Sequence, residues 1–474
     1  MKKILVVGCG ISQAPTYTSA KKLGYTTIGT DGNPNSYAHE MPDIFEEVDI
    51  RDPKAVLKIA KKHNIDGIVV PGTDFPVTGA YVAEKMGLPG IPIGVAETCS
   101  NKLKMRKVLE KSGFNVPSFQ AITINHTAEI SGKVIKIDEN IGKDYPVVVK
   151  PLSSMAARGV RSVNNVNELY QAIQKAYLFD KRIIIEKFES GMEFSLDSLV
   201  QDGEIFTFAF ADRHFMLYPY FIEIGHTMPT ILDDWLVKEI TEEYEKAVKA
   251  LGITNGAAKG DIKLTERGIV IGEIAARISG GFLSGWTTPY TAIKEYHSYH
   301  PHDDLVRIHM GEQVVFPCIK NNGFSAERTI LSIPGIVKEI IVPQHTPAKL
   351  IHMHIKEGDE VYFPVNNTNR CGSVLSWSIE RNDSINEARR ITKKIFIRLA
   401  PNQLKTDAFL NNEKFKMFVP GEKEEDWHGM DIQDALQQVI EITGRDDFLK
   451  NKLFWEAFYT GGAQGGVYFC DTFK

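Results

Sequence analysis

Apolar residues near the start of the chain come in short runs that alternate with helical patterns. The runs at 4–7, 26–30 and 68–70 predict buried strands. Before the third run, Asp52-Pro53 has the composition of a helix start, because a capping side chain precedes a first-turn proline. Strands that alternate with helices indicate a parallel sheet, so a doubly wound α/β fold is expected here.

The pattern changes after a predicted helix that ends at Gly113, and over residues 114–310 strand-like runs follow one another with fewer helices between them. Glu266-Arg267-Gly268 separates two such runs and predicts a hairpin. This region is therefore expected to be α+β, with antiparallel strands. Its predicted strands lie at 146–150, 182–186, 193–200, 206–212, 262–264 and 269–273, and its predicted helices lie at 101–113, 167–175 and 233–250.

Several short strands are expected beyond residue 310, followed by a helical run at 385–398. Asp431 precedes regularly spaced apolar residues that stop at Gly444, which predicts an amphipathic helix over 431–443. The last segment contains TGGAQGGVYF, which is rich in glycine and aromatic residues, and no element is assigned to it.

Composition and charge narrow the class of protein. With 55 basic and 60 acidic residues the net charge is −5, which argues against nucleic-acid binding. No apolar stretch approaches the roughly 18 residues of a membrane span. The short apolar run after Met1-Lys2-Lys3 is expected to be a first strand rather than part of a signal peptide. Five cysteines without a paired spacing favour a reducing, cytoplasmic compartment.

The sequence GCGISQAP follows the first predicted strand. Glycines at this point allow a tight turn and close backbone approach to a phosphate, and Asp31 lies where a ribose-binding acid would be expected. Gln13 holds the position of the third glycine of the dinucleotide fingerprint. A structural turn and a ligand-binding turn both remain open, and the second would indicate an NAD-dependent oxidoreductase.

A second set of polar residues is spread over the α+β region in a regular order. Two lysines can neutralise phosphates, a loop of small residues can fold over them, and two carboxylates on neighbouring strands can share Mg²⁺. A nearby arginine can stabilise the charge that develops during phosphoryl transfer. The chain has no GxxxxGK[ST] motif, so it is not a P-loop protein. The set comprises Lys102, Lys150, the loop SSMAARGV with Arg158, Glu186-Lys187-Phe188, Glu193, Asp261, Glu273 and Arg277.

The order of these pieces resembles the ATP-grasp superfamily, on the branch of carbamoyl-phosphate synthetase and the L-amino acid ligases. The resemblance covers about residues 3–400. It is carried by NKLKMRKVLEKSGFNVPSF (101–119), YPVVVKPLSSMAARGV (145–160), IIIEKFESGMEFSLD (183–197) and GAAKGDIKLTERGIVIGEIAARISGG (256–281).

The resemblance implies an ATP-grasp architecture with four parts. The expected domains are an N-terminal Rossmann-like domain, central ATP-grasp domains with a small lid at about 120–190, a C-terminal α/β region and an extension. The extension could serve as a lid, a dimer arm or a partner surface. The domain limits are 1–100, 101–310, 311–400 and 401–474.

The resemblance also implies a role for each residue of the set. ATP phosphates would be contacted by Lys102 and Lys150, and covered by the loop with Arg158 and Gly159. Glu186 would accept from the adenine amino group, with the backbone of Lys187 and Phe188 at the ring edge, and Glu193 would hold the ribose. Asp261 and Glu273 would bind Mg²⁺ or Mn²⁺, and Arg277 would stabilise the transferred phosphoryl group.

Three residues depart from the pattern of that family. Asp261 stands where glutamate is common, and Ala275 stands where many relatives have a metal-binding asparagine. Lys259 adds a positive charge next to the expected metal site. The number of metal ions, one or two, is therefore open.

The implied reaction joins a small-molecule carboxylate to an amine through an acyl phosphate, with release of ADP and phosphate. Alternatives are a carbamoyl-phosphate or biotin-carboxylase type of enzyme, and a nucleotide-binding protein without catalysis. A homodimer is one expected assembly. The substrate pocket is expected at the aromatic stretch 218–229, with Glu223 and His226, and at the turn with Gly280 and Gly281, although core packing also explains the aromatic residues.

Overall fold

In the computed structural model, residues 1–125, 145–412, 414–419 and 425–473 are described. Parts of the predicted lid therefore lie outside the described residues. The chain forms two compact units, and the four-domain division stays a prediction. The first unit comprises Met1–Met155, Gly159–Arg213 and His226–Phe324, and the second comprises Ala156–Arg158, His214–Gly225 and Ser325–Lys474.

The first unit begins with a parallel four-stranded sheet, as the alternating pattern predicts. Its strand order is β3-β2-β1-β4, with helices on its faces. Buried Leu5, Val7 and Ile28 pack against Val56 and Ala60 of the second helix. The strands are β1 (Lys3–Val7), β2 (Thr26–Asp31), β3 (Ile44–Glu47) and β4 (Gly67–Val69), and the helices are α1 (Ala14–Lys22), α2 (Pro53–His63), α3 (Pro76–Met86) and α4 (Ile93–Cys99).

A small antiparallel sheet follows the next helix. The Asn101 side chain caps that helix by accepting a hydrogen bond from the Lys104 N–H at 3.0 Å. The strand order is β5-β8-β6-β7, and one helix covers the apolar face through Leu169 and Ile173. The elements are α5 (Lys102–Lys111), β5 (Phe119–Thr123), β6 (Val147–Pro151), β7 (Arg161–Val163), α6 (Val166–Tyr177) and β8 (Arg182–Lys187).

A larger antiparallel sheet supplies most of the polar set. Within the first unit its order is β13-β12-β9-β10. Tyr244 of the covering helix donates from its hydroxyl to the Ala258 carbonyl at 2.8 Å, and its ring packs where a side chain at Gly260 would clash. The elements are β9 (Met192–Gln201), β10 (Glu204–Met216), β11 (Ile222–Met228), α7 (Asp234–Ala250), β12 (Gly256–Thr265) and β13 (Gly268–Ala275).

The rest of the first unit closes against the N-terminal sheet. The hydroxyl of Thr16 on α1 and the ring Nδ1 of His302 are 2.8 Å apart, both buried. A three-stranded sheet of order β15-β14-β16 lies nearby in the sequence. The elements are α8 (Thr288–Thr291), β14 (Ala292–Lys294), β15 (His297–Ser298), α9 (Pro301–His309) and β16 (Ile319–Asn321).

The second unit holds the C-terminal elements around a core of its own. β21 pairs with β19, and β18 pairs with both β20 and β22. The elements are β17 (Phe324–Ile330), β18 (Gly335–Ile341), β19 (Leu350–Met353), β20 (Glu360–Val361), β21 (Gly372–Ser378), α10 (Arg381–Lys394), β22 (Phe396–Leu399), α11 (Leu404–Leu410), α12 (Ile432–Thr443) and α13 (Lys452–Thr472).

The helix predicted at 385–398 is wrong at its end. The helix stops at Lys394, and Phe396–Leu399 is a strand that pairs with β18. The apolar run at 395–397 suits a buried strand as well as a helix, and tertiary pairing decides between them. The glycine-rich end is also helical, with a break at Gly462, where φ is 60° and ψ is −150°.

Two glycines in helices of the first unit make a matched test of packing. Gly79 in α3 lies against Val70, just past β4, and a β-carbon there would overlap the Val70 γ-carbon. Gly79→Ala should therefore lower the free energy of unfolding by about 1–3 kcal/mol through overpacking. Gly94 in α4 has open space around it, so Gly94→Ala should raise stability by about 0.4–1 kcal/mol. Urea denaturation measures both, and equal effects would contradict this packing.

Candidate active site

The loops that follow β1, β4 and β13 meet in the first unit. The Gly281 N–H donates to the Ser12 hydroxyl oxygen at 3.0 Å. Arg277, two residues past the end of β13, donates from Nε to Asp74 Oδ1 at 3.0 Å. These contacts fix the loop after β13 against the N-terminal sheet.

Three cations converge on Asp74, which sequence reasoning did not single out. Burial alone would raise the pKa of this carboxyl group, but the charges of Arg277, Lys102 and Lys259 outweigh that effect and hold its pKa below the usual value. The structure thus brings together two predicted site residues, Lys102 and Arg277, with the neighbouring Lys259. Such a group of cations is suited to bind a polyanion.

The predicted phosphate-covering loop lies next to Lys102, whose ammonium donates to the Ser154 carbonyl at 3.0 Å. Gly159 has a φ of +73°, and a β-carbon there would lie 2.8 Å from the Pro151 ring. Only glycine fits this turn without strain. Arg158 belongs to the second unit, and its predicted role over the phosphates stays a prediction.

A buried ion-pair triad lies at the base of the site. Glu186 receives Arg106 Nε at 2.7 Å on one oxygen and Lys150 Nζ at 2.5 Å on the other. Glu186 is 1% exposed and Arg106 is 2% exposed. Burial would raise the pKa of Glu186, yet the two cations lower it to about 2, so the carboxylate is charged. Its predicted contact with an adenine amino group stays a prediction.

Lys187 and Phe188 are half-buried at the end of β8. Their amide N–H groups donate to the carbonyls of Ser118 at 2.9 Å and Pro146 at 3.1 Å. The ammonium of Lys263 lies 5.3 Å from the centre of the Phe188 ring. The contact with Lys263 joins the end of β8 to the larger sheet. The predicted contact of this backbone with an adenine ring edge stays a prediction.

One face of the larger sheet carries alternating polar residues from neighbouring strands. Glu193 on β9 accepts from Arg213 at 2.7 Å and from Lys263 at 3.0 Å. Arg213 also lies 2.7 Å from Asp261 and so joins the predicted ribose contact to a predicted metal ligand. Arg213 and Lys263 were not among the residues predicted from the sequence.

The two predicted metal ligands face each other. Asp261 and Glu273 are direct partners across the β12–β13 ladder. Lys259 and Ala275, two residues away along each strand, form another pair. A facing pair of carboxylates offers the oxygen ligands that Mg²⁺ and Mn²⁺ take, with phosphate oxygens and water completing the shell. In the described part of the chain, no group of three or more histidine, cysteine, aspartate and glutamate side chains is placed to hold a metal by itself. The pair therefore suits an ion that arrives with a nucleotide.

Residues 99–281, which carry this geometry, match the model of the ATP-grasp domain. This part of the chain is an ATP-grasp domain. The chain is 29% identical over 271 residues to an alanine–anticapsin ligase of Bacillus subtilis, covering 52% of this chain and 54% of that protein. It is 24% identical over 387 residues to the carbamoyl phosphate synthase large chain of Thermotoga maritima, covering 73% of this chain and 33% of that one.

A solved structure shows the same fold. The L-amino acid ligase of Bacillus licheniformis superposes with a TM-score of 0.70 at 20% identity, over 84% of this chain and 99% of that one. The chain spans about half the length of the alanine–anticapsin ligase that it matches. The expected ATP-grasp fold, with its preceding α/β domain, is confirmed.

The residues predicted for substrate binding are only partly brought together. His226 is buried in the first unit, with its Nε2 at 2.6 Å from the Thr287 hydroxyl, whereas Glu223 belongs to the second unit and donates from its N–H to Asn367. Gly280 is exposed beside Gly281 in the loop that Ser12 anchors. The glycine turn follows Arg277 by three residues in the chain.

Asp197 is a buried acid of the ATP-grasp domain that sequence reasoning did not assign. It accepts from the Ser279 N–H at 3.0 Å and from the Ser279 hydroxyl at 2.5 Å, and it faces Lys259 across the ladder. Burial raises its pKa to about 6, although Ser279 and the nearby cations act in the opposite direction. Asp197 thus holds the loop that carries Arg277.

The N-terminal glycine turn is occupied by its own side chains. Asp31 accepts from the N–H groups of Cys9 and Asn33, each at 2.8 Å, and the Gln13 side chain accepts from the Gly10 N–H at 2.9 Å. The acid expected to bind ribose therefore closes the turn. This arrangement favours the structural alternative over dinucleotide binding.

The Glu186 triad predicts a large penalty when one partner is lost. Glu186→Gln leaves the buried Arg106 guanidinium without its carboxylate and should lower the free energy of unfolding by about 3–5 kcal/mol. Combining Glu186→Gln with Arg106→Met removes the unpaired charge and should restore much of that loss. Urea denaturation of the two variants tests this, and a double variant no more stable than the single one would refute the pairing.

Asp197 predicts a defined pH dependence. Its raised pKa means that the native state binds this proton more tightly than the unfolded chain between about pH 4 and pH 6. The stabilisation is present below pH 4 and is lost as the pH rises through 6. The free energy of unfolding of Asp197→Asn, relative to that of the original protein, should therefore rise by up to about 3 kcal/mol as the pH increases from 4 to 7. Urea denaturation of both proteins at each pH measures this difference. A difference that does not change with pH would contradict the burial of Asp197 as an acid.

Proposed function

We propose that the protein is an ATP-dependent carboxylate–amine ligase. A carboxylate oxygen attacks the γ-phosphorus of ATP and ADP leaves, which gives an acyl phosphate. The amine nitrogen then attacks the acyl carbon, loses a proton and expels phosphate, so that an amide forms. The observation that carries this proposal is the facing pair of carboxylates, Asp261 and Glu273, with the Lys259 ammonium in contact with Asp261.

The charges of the site support phosphoryl transfer in particular. Lys102 contacts the loop after β6, and Lys150 lies on β6 next to that loop, where the two ammonium groups can neutralise phosphate oxygens. Arg277 is held by Asp74, so its guanidinium is oriented before a substrate binds. Magnesium bound with ATP would supply further charge neutralisation through Asp261 and Glu273. The protein's part is to position the reactants and exclude water.

The substrates are proposed to be small carboxylates and amines, with amino acids as the first class to test. The similarity to an alanine–anticapsin ligase and to an L-amino acid ligase structure supports this choice. Gly280 and Gly281 are proposed to line the pocket beside Arg277. The substrate roles of Glu223 and His226 stay predictions, and so do the adenosine contacts assigned to Glu186, Lys187, Phe188 and Glu193.

A carbamoyl-phosphate type of activity is the second candidate. It is favoured by one observation, that the similarity to a carbamoyl phosphate synthase large chain extends over 73% of this chain. In that case bicarbonate takes the place of the organic carboxylate.

Phosphate release with ATP and Mg²⁺ separates these functions. The assay compares amino acids singly, amino acids in pairs, and bicarbonate with ammonia. Release that depends on a pair, with ADP as the other product, supports the ligase. Release that depends on bicarbonate supports the second candidate. ATP binding without release under any condition contradicts both and leaves a non-catalytic nucleotide-binding protein.

The location and assembly of the protein are proposals as well. In the described part of the chain, no helix is both long and apolar enough to cross a bilayer. The five cysteines are unpaired, which supports a cytoplasmic location. A homodimer is proposed as the assembly to test by light scattering.

Glu273 provides a direct test of the proposed chemistry. Glu273→Gln removes one charge of the facing pair, so ATP turnover should fall by more than about 100-fold while the fold is kept. Glu266→Gln is the matched control, since Glu266 is exposed on the turn of the same hairpin. Phosphate release and circular dichroism measure the two effects, and near-normal turnover in Glu273→Gln would remove Glu273 from the site.

A further inference from the structure

The carboxylate of Asp261 already carries two protein cations. Arg213 Nη1 lies 2.7 Å from its Oδ1, and the Lys259 ammonium contacts the same oxygen. The three side chains are between 11% and 17% exposed, so water screens these charges little. One oxygen of Asp261 is therefore committed to the protein.

The residue pair next to Asp261 and Glu273 offers no oxygen ligand to a divalent ion. Across the ladder from Lys259 stands Ala275, whose methyl group offers no ligand, and an ammonium offers no lone pair. The facing pair Asp261 and Glu273 offers carboxylate oxygens for one ion at this position. This pair, with phosphate oxygens and water, suits the octahedral shell of one ion.

The charge of Lys259 opposes a second ion. Besides contacting Asp261, this ammonium faces Asp197 across the ladder and acts on the carboxyl groups of Asp197 and Asp74. The contact with Asp261 thus holds it as a fixed charge on the face where phosphates are expected. A dication placed beside it would be repelled, and no neutral oxygen ligand stands opposite to compensate.

We propose that this ATP-grasp domain binds one divalent ion per nucleotide, and that Lys259, supported by Arg213, supplies the positive charge that a second ion would bring. The inference rests on the proposed binding of ATP. It predicts that ion stoichiometry is set by residue 259 together with residue 275, where a lysine faces an alanine.

Counting bound ions against bound nucleotide tests this proposal. The full chain is dialysed with Mn²⁺ and a non-hydrolysable ATP analogue, with protein in excess, and free Mn²⁺ is measured by electron paramagnetic resonance. The original protein should hold one Mn²⁺ for each bound analogue. Lys259→Arg keeps the cation and should give the same ratio. Lys259→Met combined with Ala275→Asn removes the cation and adds an oxygen, and should give two.

Each outcome decides a separate point. Two tightly bound ions in the original protein overturn the proposal. A ratio that stays at one in the double variant, with its fold verified by circular dichroism, overturns the role given to Lys259. If the double variant does not fold, Lys259→Gln replaces it, with a second ion again expected. Failure of the analogue to bind contradicts the proposed function itself, because the inference concerns only the ions that accompany it.

Discussion

The Glu186 carboxylate, buried with a cation on each oxygen, is the contact on which the site depends. It ties Arg106 of the helix Lys102–Lys111 to Lys150 on a strand of the small sheet. Arg106 also reaches the carbonyl of Ile271 on the larger sheet, at 3.5 Å. Removing this carboxylate from water is costly, and the cost is offset only because both cations are held at hydrogen-bond distance. Lys102, at the first turn of that helix, owes its position beside the loop after β6 to this anchor.

Paired charges also cover the polar face of the larger sheet. Alternate residues of β9 and β12 point to one side, so that Glu193 meets Lys263 and Asp197 meets Lys259 across the ladder. Arg213 joins Glu193 to Asp261. A polyphosphate that enters this face finds cations already oriented by carboxylates, so little reorganisation accompanies binding. This preorganisation gives the proposed transfer its physical basis.

Much of this could be predicted from the sequence, because the fold repeats simple periods. The strand before the small-residue loop and the two strands of the hairpin follow from apolar runs and a turn, and they carry the predicted Lys150, Asp261 and Glu273. The short strand after the loop, Arg161–Val163, was not predicted. The pairing partners could not be predicted. Arg106 looks like any charge on an amphipathic helix, and only the tertiary fold turns it inward onto Glu186, 80 residues away.

The position of Asp31 after the second predicted strand is compatible with two different roles. An acid after the second strand is expected both in a ribose-binding site and in a turn that needs an acceptor for its N–H groups, and Asp31 serves the turn. Glu193, Ser195 and Asp197 alternate with apolar residues, which is the pattern of one polar sheet face. This period of two places Asp197 on the same face as the predicted Glu193.

The C-terminal extension shows how packing settles what composition leaves open. Phe454, Phe458 and Phe469 share one core with Ile333 and Ile397, which come before residue 401. The Gln464 side chain accepts from the Ile333 N–H at 3.1 Å and donates to the Ile397 carbonyl at 2.9 Å. A detachable arm would not supply buried aromatic residues and backbone partners to neighbouring strands, because its departure would leave those groups unsatisfied. The extension is therefore an integral layer of the second unit, and its glycines are the means by which a helix fits into that layer.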